Sequence, residues 1–338
     1  MIVKTNVKIN LGLNVLRRRS DGYHDIETLF VPYSGYGDTI EIITGDDYSH
    51  TSAKLFAKYA PLDSPLHLDD TAMIAQGISE DGKLMMTIAR EEGVDWDPLN
   101  DLCAKAYNLL AEDFKLPPVK IFLEKTAPVG AGLGGGSADA AFTLKALNEL
   151  FGLGLKDDEP SAEGKPSLKE YAARLGSDCA FFIFNRPMVG TGRGDMLKPL
   201  TAIAGIPMGS EDIFEKLGLE LKVIVPEGIS VSTAEAYKGI QPRESSGSAE
   251  SEGFERRKDR LEQSRAAGLA DDEVTEPLTD ALQKPVAEWK DNIFNDFEAT
   301  VFKANPELAA IKQSLYDAGA VYASMSGSGS ALFALYRK

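Results

Sequence analysis

The chain has 338 residues, and its 36 Lys+Arg against 52 Asp+Glu leave a formal charge of −16. This acidity disfavours a nucleic-acid binder, because phosphate backbones need a basic surface. Two cysteines cannot build a disulfide framework or a Cys-rich zinc site, and no apolar run of about 18 residues is present to span a bilayer.

The length suits two lobes. The opening residues lack the apolar core of a signal peptide, so the expected compartment is the cytoplasm. Three histidines, His24, His50 and His67, show no metal-ligand spacing. An acidic protein can still bind a phosphorylated small molecule, provided it carries a local positive feature.

In chain order, residues 2–15 alternate with period two: Val3, Val7, Ile9, Leu11, Leu13 and Val15 share one face, and Lys4, Asn6, Lys8, Asn10 and Asn14 the other. That pattern predicts a half-buried strand whose polar face is solvated or lines a pocket. Asp21-Gly22 marks a turn before an apolar stretch at 28–33, and 38–43 reads as a strand. Residues 45–98 predict a peripheral loop, a short helix near 69–79 and a strand at 83–90. A helix over 101–114 and a strand at 119–123 precede a glycine run. An amphipathic helix then extends from Ser137 to about Phe151.

Residues 156–166 read as a surface excursion, 168–176 as a helix, Cys179 to Phe184 as a buried strand and 219–225 as a strand opening a second lobe. The chain ends in helices near 293–303 and 307–317 and strands at 320–324 and 330–336. Between Pro242 and Pro277 only four bulky apolar residues stand among 36, against 16 charges. Such composition cannot offset its ordering entropy, so a mobile insertion or an exposed helix is expected there.

The segment Pro128-Val129-Gly130-Ala131-Gly132-Leu133-Gly134-Gly135-Gly136-Ser137-Ala138 carries most of the chemistry. Five of the seven residues at 130–136 are glycine, set between a strand and a helix. Glycine admits positive φ and lets N–H groups approach a ligand with no Cβ in the way. The following helix adds unpaired amides and the positive end of its dipole, which together make an anion site suited to phosphate. No Gly-Lys-Ser/Thr ending is present, so the common P-loop is excluded. The G-x-G-x-x-G spacing at 130–135 lacks a dinucleotide-type βαβ unit at the start of the chain.

Asp178, in Gly176-Ser177-Asp178-Cys179, is either a turn residue or a carboxylate that orients or deprotonates a hydroxyl. Cys179 reads as a small buried apolar side chain, since no basic partner adjoins it. The Gly/Ser run Ser324 to Ser330 is a tight hairpin or, beside a phosphate loop, a closure over a nucleotide or a wall of an acceptor pocket.

Taken in order, Lys8-Ile9-Asn10-Leu11, Asp21-Gly22-Tyr23-His24, the loop Pro128 to Ala138, Gly176-Ser177-Asp178 and Ser326-Gly327-Ser328-Gly329 resemble the signatures of GHMP-type small-molecule kinases. Asp-Gly-Tyr-His, with Asn295-Asp296-Phe297-Glu298, resembles the branch that acts on a cytidine diphosphate sugar alcohol in the non-mevalonate route to isoprenoid precursors. The resemblance runs from about residue 3 to 336.

It implies an α+β, two-lobed GHMP kinase fold, with an N-terminal lobe like ribosomal protein S5 domain 2 and a ferredoxin-like C-terminal lobe, the active site lying between them. The expected domains are 1–200 (ATP-binding) and 201–338, the second bearing the 242–277 insertion. The implied reaction passes the γ-phosphoryl of ATP, with Mg²⁺, to the 2-hydroxyl of the methylerythritol part of the substrate.

Residue by residue, the resemblance implies catalysis by Lys8 and Asp178. It implies ATP binding by Pro128 to Ala138, Lys125 and Asn100 (or its neighbour Asp101), and acceptor binding by Asn10, Tyr23, His24, Thr233 and Tyr237. Tyr237 would stack on the cytosine and His24 would hydrogen-bond it. The sequence assigns no protein ligand to the Mg²⁺; Ser137, which opens the helix after the glycine run, is a candidate Mg²⁺ or phosphate contact. The partners would be small molecules, with no nucleic acid or membrane, and the assembly a monomer or homodimer. The alternatives are a GHMP kinase for homoserine, mevalonate or a sugar, and a nucleotide-binding regulator without catalysis.

Overall fold

A computed structural model describes residues 1–45, 57–59, 73–207, 212–240, 242 and 277–338. The expected insertion at 242–277 therefore lies outside the described residues, its two terminal prolines excepted. The described chain divides into two compact units. One comprises Met1–Lys8, Pro32–Val129 and Gly134–Asn185; the other comprises Ile9–Val31, Gly130–Leu133 and Arg186–Lys338. The units cut the chain differently from a single boundary at 200. The reason is pairing: the strand over 24–33 hydrogen-bonds to the strand at 188–191, and Leu13 bridges to Asn295.

Among the described residues the strands of three or more residues are β1 (Ile2–Lys4), β2 (Val7–Arg18), β3 (His24–Tyr33), β4 (Thr39–Thr44), β5 (Ile74–Ile78), β6 (Leu84–Arg90), β7 (Val119–Lys125), β8 (Met188–Thr191), β9 (Met196–Pro199), β10 (Leu219–Ile224), β11 (Tyr322–Met325) and β12 (Leu332–Arg337). In the first unit a five-stranded sheet has the order β1-β4-β7-β6-β5, with β6 and β7 parallel and the other neighbours antiparallel. The β6–β7 crossover carries helix α1 (Leu102–Asp113), as a parallel pair requires. Asp101 caps α1 by accepting the Cys103 N–H at 2.9 Å.

That unit also carries the helices α2 (Gly135–Leu150), α3 (Leu168–Leu175) and α4 (Cys179–Phe184). Ser167 and Glu170 form a capping box at the start of α3. Two local expectations are overturned here. Residues 74–78 are strand β5, not helix, because Ile74 to Ile78 pair with Met85 to Ala89. Residues 179–184 are helix, not strand. A short, wholly apolar run has no period to separate the two, and Cys179 to Ile183 are all buried.

In the second unit β2, β3, β8 and β9 form a four-stranded sheet, and β10-β12-β11 a three-stranded antiparallel one. Helices α5 (Thr233–Lys238), α6 (Phe297–Ala304) and α7 (Pro306–Asp317) contribute to a core in which Leu13, Val15, Phe297, Val301, Leu308, Met325 and Leu332 pack together. The opening strand differs from its half-buried expectation. It breaks between Lys4 and Val7, and from Val7 to Val15 both faces are buried, Lys8, Asn10 and Asn14 included. Buried polar side chains need partners, and these mark where the site lies. No helix among the described residues is long and apolar enough to cross a membrane.

Candidate active site

In the first unit, Lys8 Nζ lies 3.3 Å from Asp178 Oδ2; the lysine side chain is 4% exposed and the aspartate 30%. These residues are 170 positions apart and meet because β2 begins beside the N-terminus of α4, where Asp178 occupies the cap position without a side-chain cap bond. The ammonium is therefore fixed by packing, while the carboxylate stays reachable. Gly134 helps to fix it: at φ +73°, a Cβ there would meet Lys8 Cε at 3.1 Å and Phe182 at 3.3 Å.

Gly134 is also the N-cap of α2 and offers no side-chain acceptor, so the cap leaves the first-turn amides of Gly135, Gly136 and Ser137 without a side-chain partner. Burial pushes the Cys179 thiol up to about 12, so it is a protonated packing residue and not a nucleophile.

The glycine bend continues into the second unit, where Gly130 to Leu133 rest on the Gly/Ser turn. Gly132 has φ +76°, and a Cβ there would stand 2.2 Å from the Ser326 carbonyl oxygen. Ser326 Oγ donates to the Gly132 carbonyl at 3.2 Å, and the Ala331 N–H donates to the Ala131 carbonyl at 3.1 Å. The turn is itself held from beneath. The Asn295 amide donates to the Met325 and Gly327 carbonyls at 2.7 and 2.8 Å, and the Glu298 carboxylate accepts the Met325 N–H at 2.8 Å. Asn295-Asp296-Phe297-Glu298 is thus a support for the turn, Asp296 accepting the Val15 N–H at 2.7 Å.

The same unit assembles the expected acceptor residues in pairs. His24 and Tyr237 stack with ring centroids 4.7 Å apart and 16° between planes, and Tyr237 meets Phe297 edge to face at 4.8 Å. One face of Tyr237 is therefore covered by the imidazole, where the resemblance expects cytosine against that ring. Tyr23 is 59% exposed, with the Arg193 guanidinium 5.2 Å from its ring centroid. Thr233 Oγ1 lies 2.9 Å from Ser328 Oγ, tying α5 to the Gly/Ser turn. Asn10 donates to Thr28 Oγ1 at 2.9 Å, and its N–H reaches Ser326 Oγ at 3.3 Å. Burial, assisted by the charge of Arg18, lowers the pKa of His24 below 6.5, so its imidazole is neutral at pH 7.

Two further expected nucleotide residues are Lys125 and Asn100. Lys125 is buried, its ammonium donating to Asp38 and Asp139. Asn100 is exposed at the end of a single 3₁₀ turn with its amide 3.4 Å from Asp97, while Asp101 is engaged as the α1 cap. Sequence reasoning passed over Asn295, Asp38 and Asp139 in these roles. The signal was a carboxylate or amide inside an otherwise apolar stretch, which has to find a partner once buried.

A glycine-rich bend opening a helix, and a lysine–aspartate pair on the unit that carries that helix, are features of a small-molecule kinase of the GHMP class. Accordingly, residues 101–186 match the family model "GHMP kinases N terminal domain" and residues 278–338 match "GHMP kinases C terminal". The curated proteins narrow this. The chain is 38% identical over 336 residues to "4-diphosphocytidyl-2-C-methyl-D-erythritol kinase" of Bacteroides fragilis, covering 99% of this chain and 92% of that one. It is 37% identical to the protein of the same name from Azobacteroides pseudotrichonymphae, covering 100% and 94%.

Among solved structures, a 4-(cytidine 5'-diphospho)-2C-methyl-D-erythritol kinase has TM-score 0.58 at 26% identity, over 99% of this chain and 90% of that one. Mevalonate kinase of Methanococcus jannaschii, at 15% identity and TM-score 0.55 over 99% and 90%, shares the fold. The chain belongs to the 4-diphosphocytidyl-2-C-methyl-D-erythritol kinase family.

Proposed function

We propose that the protein transfers the γ-phosphoryl group of ATP to the 2-hydroxyl of 4-diphosphocytidyl-2-C-methyl-D-erythritol. The observation that carries this reading is the Lys8–Asp178 pair at 3.3 Å, in the unit whose helix α2 opens on the glycine bend. ATP, accompanied by Mg²⁺, supplies the phosphoryl group when bound. The bend suits its phosphates because the cap at Gly134 brings no side-chain acceptor to the first turn of α2, where an anion can take the helix amides.

Asp178 orients the acceptor hydroxyl and takes its proton. Lys8 keeps that carboxylate in place and offsets negative charge at the transferring group. Phosphoryl transfer depends mainly on such positioning and electrostatics. Tyr23, His24 and Tyr237 form the base-recognition group, with Asn10 and Thr233 as its polar neighbours. Pro128 to Ala138 form the nucleotide cradle, and the exposed Asn100 stands as its adenine contact.

A panel of acceptors tests the reading, with ADP release followed in the presence of MgATP. Turnover with the cytidyl substrate and not with homoserine, mevalonate or sugars is expected. Turnover with one of those instead, or ATP binding without turnover, sinks it. Substituting His24→Ala should raise the acceptor KM about tenfold, the loss of roughly 1.4 kcal/mol of base contact, with the KM for ATP little changed. An unaltered acceptor KM removes His24 from base recognition.

A pH dependence follows from the lowered His24 pKa. The neutral imidazole keeps one ring nitrogen as an acceptor for the cytosine amino group, and protonation removes it. The acceptor KM should thus be flat above pH 6.5 and rise as pH falls below it. Stability carries the same sign. The folded protein binds this proton less readily than the unfolded chain, so the His24 contribution is fully present above 6.5 and declines as pH falls through the unfolded value toward the lower folded one. Steady-state kinetics across that range, with and without His24→Ala, isolates the group.

A further inference from the structure

Beside the first turn of α2 lies a set of charges that the proposed reaction leaves unused. Lys125 ends β7, Asp38 precedes β4, and Asp139 is the fifth residue of α2; they are 6%, 2% and 1% exposed. Lys125 Nζ donates to Asp38 Oδ2 at 2.6 Å and to Asp139 Oδ2 at 2.7 Å. The other oxygen of Asp38 accepts the N–H groups of Thr126 and Ala127 at 2.6 and 2.7 Å. Thr5 closes the set, its hydroxyl donating to Asp139 Oδ1 at 3.1 Å while accepting the Asp38 N–H at 2.9 Å. A Cβ on Gly135 would stand 3.8 Å from both Asp38 Oδ2 and Lys125 Nζ, so the group abuts the first turn of α2.

We propose that Asp139, joined through Lys125 to Asp38, is a positioning residue for nucleotide binding: the buried triad fastens the strand entering the glycine bend to the helix leaving it, and so sets the aim of the first-turn amides. Asp38 holds the two amides just before Pro128, Asp139 holds the helix one turn beyond Gly135, and the Lys125 ammonium joins the two carboxylates. Glycines give the bend no stiffness of their own, and preorganised donors bind an anion better than donors that must first be ordered.

Charge bookkeeping points the same way. Burial works against the Lys125 ammonium, yet the Asp139 and Asp38 carboxylates together raise its pKa, and burial pushes the Asp139 carboxyl up. A permanent cation between the two acids limits the negative charge presented to incoming phosphates. This inference rests on the kinase reading above and reassigns Lys125 from a direct nucleotide contact to this bracket.

The test uses the full chain carrying Asp139→Asn, which keeps shape and removes charge, and Thr5→Val, which removes one hydroxyl from the bracket. ATP affinity is measured by titration calorimetry with MgATP, alongside the acceptor KM. Asp139→Asn should weaken ATP binding about tenfold or more, and Thr5→Val about threefold, with acceptor KM within about twofold in both. A merely structural role moves both constants in parallel, and that result overturns the proposal. So does wild-type ATP affinity in folded Asp139→Asn. If that variant fails to fold, Thr5→Val decides: unchanged ATP affinity overturns the proposal, and a selective loss upholds it. A wild-type chain that binds no ATP instead removes the kinase reading itself.

Discussion

Asp178→Asn lowers kcat by about 10²- to 10⁴-fold, the range of a positioned general base, and leaves the ATP dissociation constant within about threefold. The selectivity comes from where the residue sits. Its side chain makes no cap bond to α4, so an amide there costs the helix nothing, and the amide fills the same volume. The change removes the proton acceptor and the attraction to Lys8 at 3.3 Å. The glycine bend is untouched, so the nucleotide site persists. Single-turnover phosphoryl transfer alongside ATP titration separates the two effects. Near-normal turnover in a folded Asp178→Asn protein takes Asp178 out of the mechanism, and an equal loss of ATP affinity makes it part of the nucleotide site.

Gly132→Ala should be the most damaging single methyl in the bend. Two costs combine there. An alanine at φ +76° is in the left-handed region, worth about 1–2 kcal/mol. Its Cβ also stands 2.2 Å from the Ser326 carbonyl oxygen and 3.0 Å from Gly329 backbone atoms. Neither neighbour is a flexible side-chain tip, so relief requires backbone movement, adding about 1–3 kcal/mol of overpacking. Gly130→Ala supplies the control, since it has φ +72° but nothing within 4 Å of its Cβ. Gly130→Ala should therefore show the first cost alone. Thermal unfolding of both variants is expected to place Gly132→Ala lower by on the order of 5–10 °C, with a larger rise in the KM for ATP. Equal melting temperatures for the two contradict the close packing of the bend on the Gly/Ser turn.

Local features were legible where local physics governs them. The glycine bend, the amphipathic helix after it, and the helices at 102–113 and 168–175 could be read directly, because each is written in spacing and capping over a few residues. The run Cys179 to Phe184 could not, since six consecutive apolar residues suit a buried helix and a buried strand equally. The stretch at 74–78 was misread for a related reason. An edge strand with exposed Ile78 and Gly77 inside it carries little strand pattern, and its identity comes from pairing with β6.

The site shows the same division. Local composition nominated the glycine bend, and the resemblance to GHMP-type kinases nominated Lys8, Asp178 and the His24 and Tyr237 rings. The chain order does not contain their partners. That Lys8 meets Asp178, that His24 covers a face of Tyr237, and that Lys125 turns inward to two carboxylates are consequences of contacts spanning from 14 to 213 positions. Burial decided them. Once β2 was enclosed on both faces, each polar group along it had to find a partner at close range, and only the folded chain specifies which one is within reach.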